Sequence, residues 1–426
     1  MEDSVSELRQ HQLVDETVPV KRRVLIVDDD TNVLDGYRRL CRSQRDVWDV
    51  TYCGSGAEAL KALSAQPFDV LVTDMQMPGM NGAELMAHAR EVAPGVARIV
   101  LTGYASISSS VEASDLAHQL LNKPCDIDTL REAIDHSCQI QSMISSDRVK
   151  QAIGRVGRLP SPSTLYHELN TALQKETTNA TVITRIIEQD MAIAAKLLQL
   201  VNSSIFGLRR RVSSLEQAVT LLGVRQIRDM VLATHVFEAF PQTKQGVGLN
   251  LERLREHSVA VGKLARSIML EQGDSRDHAD QAFIGGLLHS FGMLVLAANG
   301  FQKYNKAVDY CRRKQRMLSE VEKILFDVTH AEAGAYILGL WKIPPVIVEA
   351  VLMHQTPGYL PSGHWSPLAA VHVADALLHE YENGGAPYPG VPLDLAYIEQ
   401  LGLTSRLGVW RLLAQAQLES TAPDDI

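Results

Sequence analysis

Several absences in this sequence narrow its class before any motif is read. Five cysteines (Cys41, Cys53, Cys125, Cys138 and Cys311) are scattered over 426 residues without a CxxC pair. An odd, dispersed set fits reduced thiols rather than a disulfide framework. No apolar run approaches the roughly 18 residues needed to cross a bilayer, and the polar start MEDSVSELRQHQ lacks the apolar core of a signal peptide. The expectation is a cytoplasmic protein with no membrane partner. Positive charge is not in excess either: the net charge is −9 and the pI near 5.9, which gives no overall attraction to nucleic acid or anionic lipid. Two basic runs, RRR at Arg209–Arg211 and RRKQR at Arg312–Arg316, have no interleaved aromatics. They read as solvated helix ends or loops, not nucleic-acid contacts. Internal repeats and low-complexity tracts are also missing.

What is present is ordinary globular material, 46% hydrophobic and 21% charged, in a chain long enough for two or three domains. From Lys21 to about Ile140 short β-rich runs alternate with amphipathic helical ones. The strand candidates are Val24–Val27, Val47–Cys53, Asp69–Thr73, Arg98–Thr102 and His118–Asn122. Between the first two, Val33, Leu34, Tyr37, Leu40 and Cys41 fall on one helical face, and Ser55 to Glu58 has the form of a capping box. Such alternation predicts right-handed βαβ crossovers and a doubly wound, five-stranded parallel sheet. After about Lys150 the strand signal stops and long 3.6-periodic segments take over, so an all-α bundle is expected. The predicted units are a flexible segment 1–20, an α/β domain 21–140 whose last helix opens at the candidate N-cap Asp126, a helical connector 141–156 that continues that helix, and a helical domain with a C-terminal extension, 157–426.

Ligands of open parallel sheets sit at the carboxyl ends of the strands. There the sequence delivers Asp28, Asp29 and Asp30 after the first strand, Asp74 after the third, Thr102 after the fourth and Lys123 after the fifth. Carboxylates converging from two strands make an oxygen pocket suited to Mg²⁺, with Lys123 and the Thr102 hydroxyl left to address phosphoryl oxygens. This order, Asp-Asp, Asp, Thr, Lys-Pro, resembles the receiver domain of two-component response regulators. The resemblance implies that Asp74 is the phosphoacceptor for a histidine kinase, and that Asp28, Asp29, Asp74 and the backbone carbonyl of Gln76 hold Mg²⁺. It also implies that Thr102 and Lys123 bind the phosphoryl group. One position departs from the usual pattern: Leu120 stands where many receivers carry a switch aromatic, with Tyr104 as a substitute from the fourth strand.

In the second half, the Leu-Pro entry at Leu159, the capped helix at Asp190, Asn202-Ser203, Phe206-Gly207, Ala218 and Leu222-Gly223 together resemble the HDOD family. Its members are helical signalling domains related to the HD phosphohydrolases. His257, His289, His330, His354 and Asp375 occur in the order of the HD metal ligands, but the residue after His289 is Ser290, a poor ligand for a hard cation. The expectation is a degenerate, non-catalytic HD site made of these six residues. The signal would then pass to an unidentified downstream protein, with homodimerisation open. The competing expectation is a metal phosphohydrolase acting on a cyclic dinucleotide or nucleotide, with a transition metal on those histidines. PYPG at Pro387–Gly390 is read as a loop in the wrong place to serve that site.

Overall fold

The computed structural model describes residues 21–103, 116–142, 150–151, 153, 169, 171–172, 179–202, 208, 211–233, 248–298, 300–359, 364–381 and 388–421. Tyr104, the Leu159 entry, Ser203, Phe206-Gly207, Arg209-Arg210, segment 1–20 and most of the connector lie outside these residues.

The first half is a parallel sheet in the order β2-β1-β3-β4-β5, with β1 Arg22–Val27, β2 Trp48–Cys53, β3 Val70–Asp74, β4 Ala97–Thr102 and β5 Gln119–Asn122. Each strand starts or ends within two residues of its sequence expectation. The runs are β-branched and buried on both faces, as a sheet flanked by helices requires. The covering helices among the described residues are α1 Thr31–Leu40, α2 Gly56–Ala65, α3 Gly82–Val92 and α4 Ile127–Ser142. Two local expectations need correction. Leu34, Tyr37 and Cys41 are buried, but Leu40 is 40% exposed, because it sits where α1 tightens into a 3₁₀ turn at Cys41. Ser55 does cap α2, accepting from the Glu58 N–H, but the Glu58 carboxylate reaches the N–H of Gly54 and not that of Ser55. The helix start is therefore capped without a closed box.

The second half is helical throughout its described residues: α5 Ala180–Ile187, α6 Met191–Val201, α7 Leu215–Ala233, α8 Leu251–Glu271, α9 Arg276–Leu288, α10 Phe291–Ala298, α11 Phe301–Lys314, α12 Leu318–Phe326, α13 His330–Leu340, α14 Pro345–Met353, α15 Pro367–Tyr381, α16 Leu395–Gln400 and α17 Leu407–Thr421. Asp190 caps α6 through the Ile193 N–H at 2.8 Å. Asn202 closes its other end by clamping Val212 from both sides, donating to the Val212 carbonyl and accepting its N–H. The stretch Arg276–Ala298 has the length and mean hydropathy (1.6) of a membrane span, contrary to the sequence expectation. It is two helices broken at His289 and 89% of the apolar window is buried inside the protein, so packing explains its composition. The basic run Arg312–Arg316 ends α11, where positive charge complements the helix dipole, and Arg313 and Arg316 pair with Asp309 and Glu320.

One apolar core runs from the sheet through α4 into the helical half. The join is specific: His136 Nε2 lies 2.8 Å from the Gly339 carbonyl, Lys342 pairs with Glu132, and the Ile140 side chain occupies the space above Gly339. On the sheet's side of the join, His118 is buried and its Nδ1 accepts the Arg98 N–H at 3.0 Å. Burial, then the Arg98 charge, hold its pKa well below the ordinary value. A histidine whose folded pKa is lowered contributes no penalty above the unfolded value near 6.5. Below it, the unfolded chain binds a proton that the native state refuses, so stability falls with pH by about 1.4 kcal/mol per unit. His136, His289, His354 and His372 are lowered by burial as well and add to the same trend, so titrating unfolding between pH 7 and 5 is expected to show at least this slope, and His118→Gln to remove about one proton's worth of it. An unchanged slope in the variant would refute the assignment.

Candidate functional site

The acidic site forms because β1, β3 and β5 end side by side. Asp28 follows β1 and is nearly inaccessible, Asp74 ends β3, and Lys123 follows β5. Lys123 Nζ bonds Asp28 Oδ2 at 2.7 Å and Asp74 Oδ1 at 2.9 Å. Burial alone would lower the Lys123 ammonium, but the two carboxylates raise it above its ordinary value. Oxygen atoms of Asp28, Asp29 and Asp74 lie within 4.8 Å of one another, with Asp29 at the solvent side. Asp30 is set apart, accepting the Asn32 N–H as the N-cap of α1. Thr102 is buried at the end of β4, and its carbonyl accepts the Lys123 N–H at 2.7 Å, which places the two residues side by side. Gln76 is exposed two residues beyond Asp74. Leu120 is packed in β5 against Val100.

The loop carrying Asp74 is braced by α3. The Gly82 N–H donates to the Met75 carbonyl at 2.9 Å, and a Cβ at Gly82 would meet the Asp74 carbonyl oxygen at 2.2 Å. Only glycine permits that approach.

The second cluster lies deep in the helical half. The crossing of α8 and α9 is close because Gly262 and Gly286 face each other: a Cβ at Gly286 would sit 2.7 Å from the Gly262 Cα. That contact brings His257 on α8 toward His289, which follows α9. His354 follows α14, and Asp375 and His379 lie one turn apart on α15. Asp375 Oδ1 is 3.0 Å from His257 Nε2, 3.0 Å from His379 Nδ1 and 3.5 Å from His289 Nε2. Burial would raise the Asp375 carboxyl, but the surrounding histidines hold it well below the usual range. Burial pushes the His289 imidazole well down and that of His354 to about 4, in each case against the pull of Asp375.

Of the six residues read from the sequence, five converge here: His257, His289, Ser290, His354 and Asp375. His330 stands one layer back, with Nδ1 on Glu322 at 2.7 Å and Nε2 facing the Gln355 amide at 3.2 Å. Three members were missed. Tyr388 from the PYPG loop is buried with its hydroxyl 2.9 Å from His289 Nε2 and 2.8 Å from Ser290 Oγ, which corrects the reading that the loop lies elsewhere. His379 had a signal, its spacing four residues after Asp375 on one helix face. Glu322 had none, being one acid among many on an amphipathic helix. Ser290 fills the place expected of a carboxylate and is locked between His289 and Tyr388.

Family comparison agrees with both halves. Residues 24–135 match the model of the response regulator receiver domain and residues 159–357 that of the HDOD domain. An uncharacterised protein of Treponema pallidum is 24% identical over 268 residues, 63% of this chain and 49% of that protein. The transcriptional regulatory protein GlrR of Escherichia coli is 33% identical over 131 residues, 30% of this chain and 29% of its own. Among solved structures, the MmoQ response regulator of Methylococcus capsulatus is similar at 22% identity and a TM-score of 0.47, over 60% of this chain and 98% of that one. The chain thus spans about half or less of the curated relatives it matches. With a receiver model over its first part and an HDOD model over its second, the chain joins a response regulator receiver domain to an HDOD domain.

Proposed function

We propose that Asp74 accepts a phosphoryl group from a partner histidine kinase and that the HDOD half passes the signal on by contact with another protein, without catalysing a reaction. The observation that carries this reading is the Lys123 ammonium shared between Asp28 and Asp74, with Asp29 within reach of both. An Asp74 carboxylate oxygen forms the bond to phosphorus as the bond to the kinase imidazole breaks. Lys123 then moves its charge onto a phosphoryl oxygen, and the Thr102 hydroxyl bonds another. The donor set of Asp28, Asp29, Asp74 and the Gln76 carbonyl is all oxygen and fits Mg²⁺, which would offset negative charge on the transferring group. Once Lys123 is drawn away from Asp28, the change is felt at the start of α4, and α4 packs on α13. The HDOD surface is therefore the element biased by phosphorylation. Self-association is one form that output could take.

Turnover by the helical half is disfavoured by the replacement of the expected acid with Ser290 and by the burial of its surroundings. The test is incubation of the full chain with a small-molecule phosphodonor, with and without Mg²⁺. The expected outcome is one acid-stable, hydroxylamine-labile group per chain that forms only with the cation. No incorporation, or a group resistant to hydroxylamine, would overturn the proposal.

A further inference from the structure

We propose that a cavity at the amino-terminal edge of the receiver sheet binds an organic phosphate of nucleotide size. The inference is independent of the phosphoryl-transfer reading, because β1 and β3 run parallel and this edge lies at the opposite end of both from Asp74. The cavity measures about 490 Å³, within the range of small-molecule sites. Lys21 and Arg23 line it from the start of β1 and Asp69 from the residue before β3, while Lys150 and Gln151 close it from the connector. A Cβ at Gly95 would meet the side chains of those two connector residues at 3.6 Å, so the connector rests on the loop between α3 and β4.

Charge is out of balance in this wall: three cations, Lys21, Arg23 and Lys150, share it with one carboxylate, Asp69. The carboxylate is already engaged, accepting the Arg23 backbone N–H through Oδ2 at 2.7 Å. Lys21 Nζ rests on a neutral partner, the Arg45 carbonyl at 2.6 Å, and the Arg23 guanidinium has no acid partner among the described residues. A concave surface with excess positive charge concentrates anions, and a phosphate monoester, carrying about two negative charges at pH 7, balances this one. The rest of the wall selects what hangs from the phosphate. Leu63, Phe68 and Val96 form a buried apolar floor, and Val92 is 48% exposed beside it. A flat ring laid over Val92 takes that apolar surface out of water. Discrimination between bases is expected to be weak, since the buried amide of the wall, Gln141, already donates through Nε2 to the Asp69 and Gly95 carbonyls at 3.0 and 2.9 Å. A phosphate shared by Arg23 and Lys150 would tie the connector to the base of the receiver.

Equilibrium dialysis of the full chain against AMP, GMP, CMP and UMP tests the site, with adenosine and inorganic phosphate as separate arms. One nucleotide per chain is expected, with dissociation constants within about tenfold of one another, a melting temperature that rises with ligand concentration, and binding that weakens as NaCl is raised. Arg23→Gln is expected to weaken binding about tenfold or more by removing a charge-assisted contact, with the ligand-free melting curve unshifted because the side chain is exposed. Arg42→Gln, at an exposed arginine outside the cavity, should bind as the parent does. Absence of binding by all four nucleotides would overturn the site. Undiminished binding by Arg23→Gln would overturn it too, because the nucleotide would then be held elsewhere, the helical half included. Inorganic phosphate or adenosine binding as tightly as AMP would overturn the pairing of a charged wall with an apolar floor.

Discussion

Asp74→Asn is expected to reduce phosphodonor labelling to background while leaving the fold intact. The amide keeps the shape of the carboxylate but has no anionic oxygen to form the bond to phosphorus, and the three neighbouring acids are engaged otherwise, Asp29 in the oxygen set that would hold Mg²⁺. Asp28 is buried and held by Lys123, and Asp30 is occupied as a helix cap. The stability effect is a small difference of opposing terms. Lys123 loses one of two carboxylate partners, but the repulsion between Asp28 and Asp74 disappears with it. Because Lys123 keeps the 2.7 Å contact to Asp28, the net change in unfolding free energy should be within about 1 kcal/mol. Loss of labelling in a chain with an unshifted melting curve therefore reports chemistry and not unfolding. Stoichiometric labelling of the variant would place the acceptor elsewhere.

How legible the molecule was differs between its halves, and the reason is range. The receiver site is assembled from strand ends, and a parallel sheet brings successive strand ends to one edge whatever the loops do. Reading Asp28, Asp74, Thr102 and Lys123 as neighbours thus needed only the βα alternation. The helical site is assembled across helix crossings, whose angles depend on which small residues meet. His257 and His289 come together through Gly262 and Gly286, a pairing that no local pattern encodes. Tyr388 was dismissed for a related reason: loop residues carry no periodicity, and its place is set by where α15 returns the chain. Leu40 shows the limit of periodicity even inside a helix, since the last turn leaves the ideal spacing. Glu322 was silent because an acid on an amphipathic helix is ordinarily solvated, and only the packing of α11, α12 and α13 reveals it as buried.

That burial makes Glu322 a sensitive position of the helical half. Glu322 is fully enclosed and satisfies three donors at once: the Tyr304 hydroxyl, the His330 N–H at 2.9 Å and His330 Nδ1 at 2.7 Å. Glu322→Ala removes every acceptor and leaves a cavity, and the unsatisfied buried donors together with the void predict a loss of about 3–5 kcal/mol. Glu322→Gln separates hydrogen bonding from charge. Its carbonyl can take the position that serves both His330 donors, while its NH₂ meets the Tyr304 oxygen, which can turn to accept. If the network is held by hydrogen bonds, Gln should cost only about 1–2 kcal/mol, and urea unfolding should rank parent above Gln above Ala. If Gln proves as costly as Ala, hydrogen bonding alone does not account for the network, and the carboxylate itself is required. Should neither substitution shift the unfolding midpoint, Glu322 would not be buried against His330 as described. The position of His330 behind His354 would then have to be abandoned with it, because α13 is fixed at its start by this carboxylate.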